Sequence, residues 1–141
     1  MTELETHSAA SETRLCEMVF PEQANHYGTL FGGTAPSLMG KAAFIAASRH
    51  ARAAVVMARS EQIAFHHPVS VGQLVELHAY VTRDGRSSMT VEVEMISETL
   101  STGHRSQAVK GQFEMVSVDE HGKPKPYRPQ AQNVREICKV R

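Results

Sequence analysis

Hydrophobic and polar residues alternate along several segments of the chain. Alternation at every second residue is typical of a strand with one face against a core. In 89–97, Met, Val, Val and Met alternate with Thr, Glu, Glu and Ile. Similar patterns predict strands at 55–65, 74–82 and 104–118, with Gly111 as a bulge or point of close approach in the last. A looser alternation predicts a first strand at 14–20, with Cys16, Met18 and Phe20 on one face.

A single helix is predicted at 36–51, where Ala, Leu, Met, Phe and Ile dominate. Thr34 followed by Pro36 is typical of a helix start. Only Gly40 and Lys41 interrupt an apolar surface that nearly surrounds the middle of the helix, so the helix is expected to be enclosed. One enclosed helix with five to six strands joined mainly by hairpins predicts an α+β fold, in which an antiparallel sheet wraps around the helix.

Composition places the chain among ordinary globular proteins. It has 141 residues, 41% of them hydrophobic, and its 15 Lys and Arg balance 15 Asp and Glu. This balance argues against nucleic acid or an anionic membrane as partner. No apolar run is long enough to span a membrane, and the polar N-terminus lacks the pattern of a secretory signal, so we expect a cytoplasmic protein. We expect a flexible tail at 1–12, one domain at 13–120 and a Pro-rich basic tail at 121–141.

Metal and disulfide chemistry are not expected. Cys16 and Cys138 lie near opposite ends of the chain, and a cytosolic setting favours two free thiols. The one close histidine pair is His66-His67, and adjacent residues on a strand point to opposite faces. The sequence therefore predicts no metal site.

The loop at 25–33 carries the strongest chemical pattern. Its last two residues, Gly32 and Gly33, directly precede the predicted helix. Glycines there let a ligand approach the unpaired N–H groups of the first helical turn, which favour negative charge and a developing oxyanion. From spacing alone, a loop that needs glycines only for tight turning is an equally good interpretation.

The sequence from about 14 to 119 resembles the acyl-CoA hydrolase branch of the hot-dog-fold thioesterases, which includes the YciA-type bacterial enzymes. Several blocks in the same order carry the resemblance, which makes it more specific than any one motif. The blocks are Asn25-x-x-Gly28-x-x-Phe31-Gly32-Gly33, Met39 with the small-residue helix after it, Phe65-x-x-Pro68-Val69-Ser70-Val71-Gly72, Gly85-Arg86-Ser87-Ser88, and the Phe113 strand ending at Val118-Asp119.

The resemblance implies a hot-dog fold and a homodimer with a continuous sheet, often assembled as a trimer of dimers, with the active site between subunits. An exposed sheet edge that needs covering independently favours at least a dimer. By resemblance, Asn25 positions substrate or water, and the N–H groups of Gly32 and Gly33 polarise the thioester carbonyl. Phe31 and Glu61 belong to the implied substrate-binding set.

The implied contact with coenzyme A lies in the segment Gly85, Arg86, Ser87 and Ser88. Arg86 is suited to pair with a CoA phosphate, although a solvated hairpin arginine is an equally good interpretation. Coenzyme A would enter only as part of the substrate or product, and no separate cofactor is implied.

The chain departs from the family at Gly40, where the family's helix carries the Asp that acts as general base or nucleophile. A positioned acid or base is worth about 10²–10⁴-fold in rate. Three explanations stay open: an inactivated variant, a natural member with another base, or a protein that binds acyl-CoA without hydrolysing it. Glu61, His26 and Lys41 are candidate substitute bases, although surface or pairing roles are the more common use of such residues.

Three functions follow, in decreasing order of fit. The first is an acyl-CoA thioesterase that releases free acid and CoA, impaired by Gly40. The second is a non-hydrolysing acyl-CoA or acyl-carrier binding module, which tolerates Gly40. The third is a hot-dog dehydratase, for which His66-His67-Pro68 is a superficial match with the proline on the wrong side.

Overall fold

The computed structural model describes residues 12–30 and 32–127, and this part of the chain forms one long helix and five strands. The helix, α1, spans Thr34–Ala51, and a short 3-10 turn spans Pro21–Gln23. The strands are β1 (Glu12–Met18), β2 (Val55–Phe65), β3 (Leu74–Asp84), β4 (Ser88–Thr99) and β5 (His104–Ser117). Each predicted strand and the predicted helix is therefore present, with ends shifted by a few residues. Phe31, Cys138 and most of both predicted tails lie outside the described residues.

The five strands form one antiparallel sheet in the order β1-β3-β4-β5-β2. Central register pairs such as Leu77 with Met95 and Val91 with Phe113 put large apolar residues on one face. That face curls around α1, which packs against all five strands. The predicted hot-dog architecture is confirmed. In the described ranges, no helix combines the length and apolarity needed to cross a bilayer.

Small residues line the enclosed helix. Four alanines at 42, 43, 46 and 47 are fully buried, because the curved sheet approaches α1 closely from several sides. The sheet fills the remaining space with larger side chains, among them Met39 from the helix and Met95, Phe113 and Met115 from β4 and β5. Flexible methionines fill irregular gaps in such a core. The predicted enclosure is therefore incomplete: most of the helix surface is buried, but a stripe at Ser37, Lys41 and Phe44 is exposed.

The sequence predicted either a bulge or a point of close approach at Gly111 on β5, and the structure shows a close approach. The bulge belongs to the opposite strand, β2, where the register shifts between Glu61 and Ala64 and Gln62 has a left-handed φ of 56°. A Cβ on Gly111 would lie 2.9 Å from Ile63 Cγ1 and 3.3 Å from Met39 Cε. Any side chain at position 111 would collide with the bulge, which explains the glycine.

The buried face of β1 differs from the expected one. Thr13 is buried and Leu15 packs against the core, whereas Cys16 and Phe20 are exposed. The chain leaves the strand after Met18, so Phe20 no longer shares its alternation. The loose alternation of this segment predicted the strand but not the side that meets the core.

The outer face of the sheet is a network of paired charges rather than a fully solvated surface. Glu76 accepts hydrogen bonds from Arg105 and, at 3.0 Å, from Arg14. Tyr80 donates to Glu92 at 3.0 Å, and burial together with this carboxylate raises the pKa of Tyr80. Glu76 and Glu92 on this face are therefore half-buried and paired.

Residues 121–127, which the sequence assigned to a tail, pack on the domain. Pro124 forms a bridge with Val118, and Lys125 N–H donates to the carbonyl of Ser117 at 2.9 Å. Tyr127 is 7% exposed and belongs to the core cluster. The folded unit therefore extends beyond residue 120.

Candidate functional site

Asn25 organises the loop before the helix. Its side-chain Oδ1 accepts hydrogen bonds from the N–H groups of Tyr27 and Thr29, at 2.9 and 3.2 Å, and from the Thr29 hydroxyl at 3.1 Å. Gly28 has a φ of 80°, which only glycine adopts without strain, and closes the turn. With Oδ1 committed to the loop, the Nδ2 amide of Asn25 remains to donate to a ligand.

The loop is anchored by the block that follows β2. Leu30 N–H donates to the carbonyl of Val69 at 2.7 Å, Thr29 bridges to Ser70, and Val71 N–H donates to the carbonyl of Gly28 at 3.0 Å. Two of the sequence blocks are thus neighbours in space. Their backbone contacts fix the loop relative to the sheet.

The helix mouth, defined as Gly32, Gly33 and the first turn of α1, opens to solvent. Both glycines are exposed, and α1 begins at Thr34 with Gly33 as its N-cap. The N-cap makes no side-chain hydrogen bond, so no side chain within residues 12–30 and 32–127 caps the first-turn amides. Free amides at a helix N-terminus suit a carbonyl oxygen that gains negative charge.

Gly40 is buried in the second turn of α1, and Met57 of β2 lies against it. A Cβ on Gly40 would lie 3.1 Å from Met57 Cε. Outside the helix backbone and the adjoining residues, no other described atom comes within 4 Å of that point. A side chain at position 40 would therefore meet a flexible methyl group first, and no polar side chain of the described residues outside the adjoining ones lies within 4 Å of that point.

The three candidate substitute bases all have local partners. Glu61 lies 3.7 Å from Arg59, and Lys41 lies 3.6 Å from Glu17. His26 is exposed, with its ring 4.0 Å from that of Tyr27. Within one chain, neither Glu61 nor His26 comes within 4 Å of a Cβ built on Gly40.

The 85–88 turn joins β3 to β4 as the sequence predicted. Gly85 N–H donates to the Ser88 carbonyl at 2.7 Å, and a Cβ on Gly85 would lie 2.9 Å from Ser88 Oγ, so the turn is tight. The Ser87 carbonyl accepts a hydrogen bond from Ser117 N–H at 2.7 Å. Arg86 is exposed and has no hydrogen bond or ion pair with any described residue. Its guanidinium is free to bind a phosphate.

A buried polar cluster adjoins this turn, and the sequence analysis did not predict it. His50 is fully buried near the end of α1, and its Nε2 lies 3.2 Å from both carboxylate oxygens of Asp84. Tyr127 donates its hydroxyl hydrogen to the same carboxylate and packs edge-on against His50. The cluster ties the 85–88 turn to the C-terminal end of α1. Since α1 has 18 residues, this turn and the helix mouth are about 27 Å apart in one chain.

The cysteine and histidines that the sequence analysis considered for metal or disulfide chemistry include Cys16, His66 and His67. Cys16 is a free, exposed cysteine on β1. His66 and His67 follow β2 and are both exposed. In residues 12–30 and 32–127, no three His, Cys, Asp or Glu side chains group as a metal site.

Solved structures offer a direct comparison of spacing. The acyl-CoA hydrolase of Staphylococcus aureus, solved with butyryl coenzyme A, coenzyme A and coenzyme A disulfide, matches 93% of this chain and 88% of its own at 28% identity and a TM-score of 0.80. Other structures of that enzyme carry an asparagine, an aspartate or a threonine changed to alanine. The asparagine precedes the aspartate by 15 positions, and the threonine follows it by 17.

Comparisons over most of the chain agree on one family. A model described as the thioesterase superfamily matches residues 27–104. YkhA of Bacillus subtilis, an uncharacterized acyl-CoA thioester hydrolase, is 39% identical, covering 82% of this chain and 72% of YkhA. The acyl-CoA thioester hydrolase YciA of Salmonella typhimurium is 32% identical, with 82% and 89% covered. An apo-hexameric acyl-CoA thioesterase matches with a TM-score of 0.82 and 36% identity, over 93% of this chain and 86% of its own. The chain therefore belongs to the hot-dog-fold thioesterase superfamily, among the acyl-CoA thioester hydrolases.

Proposed function

We propose that this chain binds acyl-CoA at the helix mouth and hydrolyses its thioester to a free acid and coenzyme A, at a rate reduced by Gly40. In this reaction a water oxygen bonds to the carbonyl carbon, the carbon–sulfur bond breaks, and a proton from water ends on the coenzyme A thiol. The observation that carries the proposal is the open, uncapped helix mouth beside a loop fixed by Asn25.

Two kinds of donor converge on the thioester carbonyl in this proposal. The backbone N–H groups of Gly32, Gly33 and the first turn of α1 polarise it and hold the oxyanion that forms when water attacks. The Nδ2 amide of Asn25 is a further donor, because Oδ1 is already occupied within the loop. Asn25 thus acts toward the carbonyl as a hydrogen-bond donor rather than as a base.

The proposed site combines two chains. Arg86 and the helix mouth are about 27 Å apart along α1, which is too far for one thioester and its nucleotide to use both in a single chain without crossing the fold. In a two-fold dimer, the 85–88 turn of one chain approaches the helix mouth of its partner. Arg86 then binds a CoA phosphate through a charge-assisted hydrogen bond.

The dimer contact that we propose is the β2 edge of the sheet. This strand ends the sheet and carries exposed apolar side chains, with Val56 at 46% and Met57 at 43% exposure, and Phe44 of α1 is 48% exposed. Pairing two β2 edges across a two-fold axis buries these side chains and satisfies the free backbone groups. The trimer of dimers is proposed by analogy with the hexameric thioesterase named above.

A non-hydrolysing acyl-CoA binding protein is the second candidate, and one observation favours it. The position where the resemblance places the family's acid is a glycine, and outside the helix backbone and the adjoining residues only the Met57 methyl lies within 4 Å of its Cβ position. Such a site keeps the carbonyl donors but has no group to take a proton from water. Binding without turnover is the expected behaviour of this candidate.

One experiment tests the function and separates the candidates. Binding of acetyl-, butyryl- and palmitoyl-CoA is measured by calorimetry, and release of free acid is measured by mass spectrometry. Binding with slow product release supports the thioesterase, and binding without product supports the second candidate. Arg86→Ala is expected to weaken CoA-ester binding about tenfold, as the loss of about 1.4 kcal/mol, whereas Arg86→Lys keeps the charge and loses less. Absence of binding by the folded protein would contradict both.

A further inference from the structure

Met57 of β2 lies opposite Gly40 of α1. The Met57 methyl lies 3.1 Å from the point where a Cβ of residue 40 would lie, so side chains at these two positions face each other. Gly40 is buried, and Met57 is 43% exposed at the sheet edge. We refer to the space between these two positions as the chamber; it adjoins the β2 edge that we propose as the dimer contact.

The spacing of Asn25, Gly40 and Met57 along the chain allows a comparison with the S. aureus hydrolase. Asn25, Gly40 and Met57 are separated by the same 15 and 17 positions as the asparagine, aspartate and threonine that were replaced in the S. aureus hydrolase. The first of these residue types is retained here and the other two are changed. The two changed positions are also the two that touch. At these spacings the S. aureus hydrolase has an aspartate and a threonine, where this chain has a glycine and a methionine.

We infer that Met57 and Gly40 act as one unit that sets the rate of thioester hydrolysis, so that restoring the acid alone is not sufficient. The inference rests on the proposed function of the same site. A carboxylate at position 40 would face a methyl group instead of a hydrogen-bond donor, and an unpaired carboxylate in a partly buried chamber is poorly placed to stay ionised and take a proton from water. A threonine at position 57 supplies the donor and removes the methyl from the carboxylate's space.

The test is a set of four proteins: the chain as it stands, Gly40→Asp, Met57→Thr and the double variant. Because the contact is made by the flexible end of Met57, Gly40→Asp is expected to fold, and thermal unfolding checks this. Butyryl-CoA binding is measured for all four by calorimetry, and butyrate release is measured in parallel. Gly40→Asn with Met57→Thr is the matched control, since it fills the chamber and keeps the hydroxyl without an ionisable acid.

We expect all folded proteins to bind butyryl-CoA with similar affinity. Hydrolysis by the double variant should exceed that of the unchanged chain about 100-fold or more, the usual worth of a positioned acid or base. Gly40→Asp alone should gain less than tenfold, and Met57→Thr alone and the asparagine control should gain nothing.

Two results would overturn the inference, and they differ in what they leave standing. Equal rates for Gly40→Asp and the double variant would make Met57 a bystander while leaving the proposed function intact. Folded proteins that all fail to bind acetyl-, butyryl- and palmitoyl-CoA would remove the proposed function and this inference with it.

Discussion

The imidazole of His50 contacts both carboxylate oxygens of Asp84 at 3.2 Å, although 34 positions separate the two residues. His50 is fully buried at the end of α1, and Asp84 is the last residue of β3, immediately before the 85–88 turn. Tyr127 shares the same carboxylate from a segment that follows β5. Three distant parts of the chain therefore meet at one acceptor, and that acceptor adjoins the turn to which we assign coenzyme A.

Replacing Tyr127 with Phe should weaken the fold. The change removes a buried hydrogen bond to a carboxylate, and such bonds contribute about 1.5–3 kcal/mol to the free energy of unfolding. The free energy is measured by denaturant unfolding at fixed protein concentration. Tyr27→Phe is the control, because Tyr27 is 77% exposed and its hydroxyl has no described partner, so a change below about 0.5 kcal/mol is expected. Equal losses in the two variants would argue against the contact with Asp84.

Gly111→Ala should destabilise the protein by about 1–3 kcal/mol, the usual cost of overpacking. The new methyl group would lie 2.9 Å from Ile63 Cγ1 on the β2 bulge, and a branched side chain there cannot move aside freely. Adding Ile63→Ala should make the combined loss smaller than the sum of the single losses. Gly32→Ala is the control, since no heavy atom lies within 4 Å of its added Cβ. Additive losses at 111 and 63 would contradict the proposed collision.

Glu76 should make stability depend on pH on the acid side. Hydrogen bonds from Arg105 and then Arg14 lower the pKa of Glu76 below 4.5. A carboxyl group with a lowered folded-state pKa stabilises the protein fully above its unfolded pKa, and this contribution is lost as the pH falls through the folded value. Glu76→Gln should therefore lower the melting temperature at pH 7, and the difference should shrink as the pH falls below 4.5. A difference that stays constant with pH would be inconsistent with the ion pairs as its source.

The matched control for this titration is Glu120→Gln. Glu120 lies in a turn with its side chain 85% exposed. Its removal should leave the melting temperature nearly unchanged at every pH, because exposed ion pairs contribute little.

Phe44→Arg should dissociate the proposed dimer. Phe44 lies one turn after Gly40 on the same face of α1, beside the exposed apolar residues of β2. A charge there cannot be buried between two copies without a partner. Light scattering is expected to report a smaller mass than for the unchanged protein, with no species of two chains paired through β2. Leu100→Arg, a substitution of an equally exposed residue in the turn after β4, should leave the dimer intact, and a Phe44→Arg protein that stays dimeric would exclude this interface.

The strands and the enclosed helix were predictable because their signals are local. Alternation in 89–97 and the apolar girth of 36–51 each reflect one element meeting one core. What was missed depends on distant contacts: Tyr127 lies in a Pro-rich basic stretch, and its partner Asp84 is 43 positions away. No local pattern distinguishes a buried tyrosine there from a solvated one.

In the candidate site, too, the features with a local sequence signal were predicted and those that depend on distant contacts were not. Gly32 and Gly33 were predicted at the helix start because glycines before a helix have a direct physical consequence. Met57 was not singled out, because a methionine on an alternating strand has the pattern of an ordinary core residue. Its importance depends on the residue opposite it on α1, which is Gly40. Because Gly40 has no side chain, the sequence gives no sign that the two positions are in contact.

The length of α1 has a consequence for mixed assemblies. Each chain is proposed to supply the helix mouth of one site and the 85–88 turn of the other. A chain with Asn25 replaced and a chain with Arg86 replaced can then form one intact site together. Co-expressed Asn25→Ala and Arg86→Ala chains would form hybrid dimers in which one site has both halves intact and the other has neither. Such hybrids should bind butyryl-CoA at half of their sites with undiminished affinity, whereas either variant alone binds weakly at every site. A hybrid no better than its parents would mean that each chain acts alone.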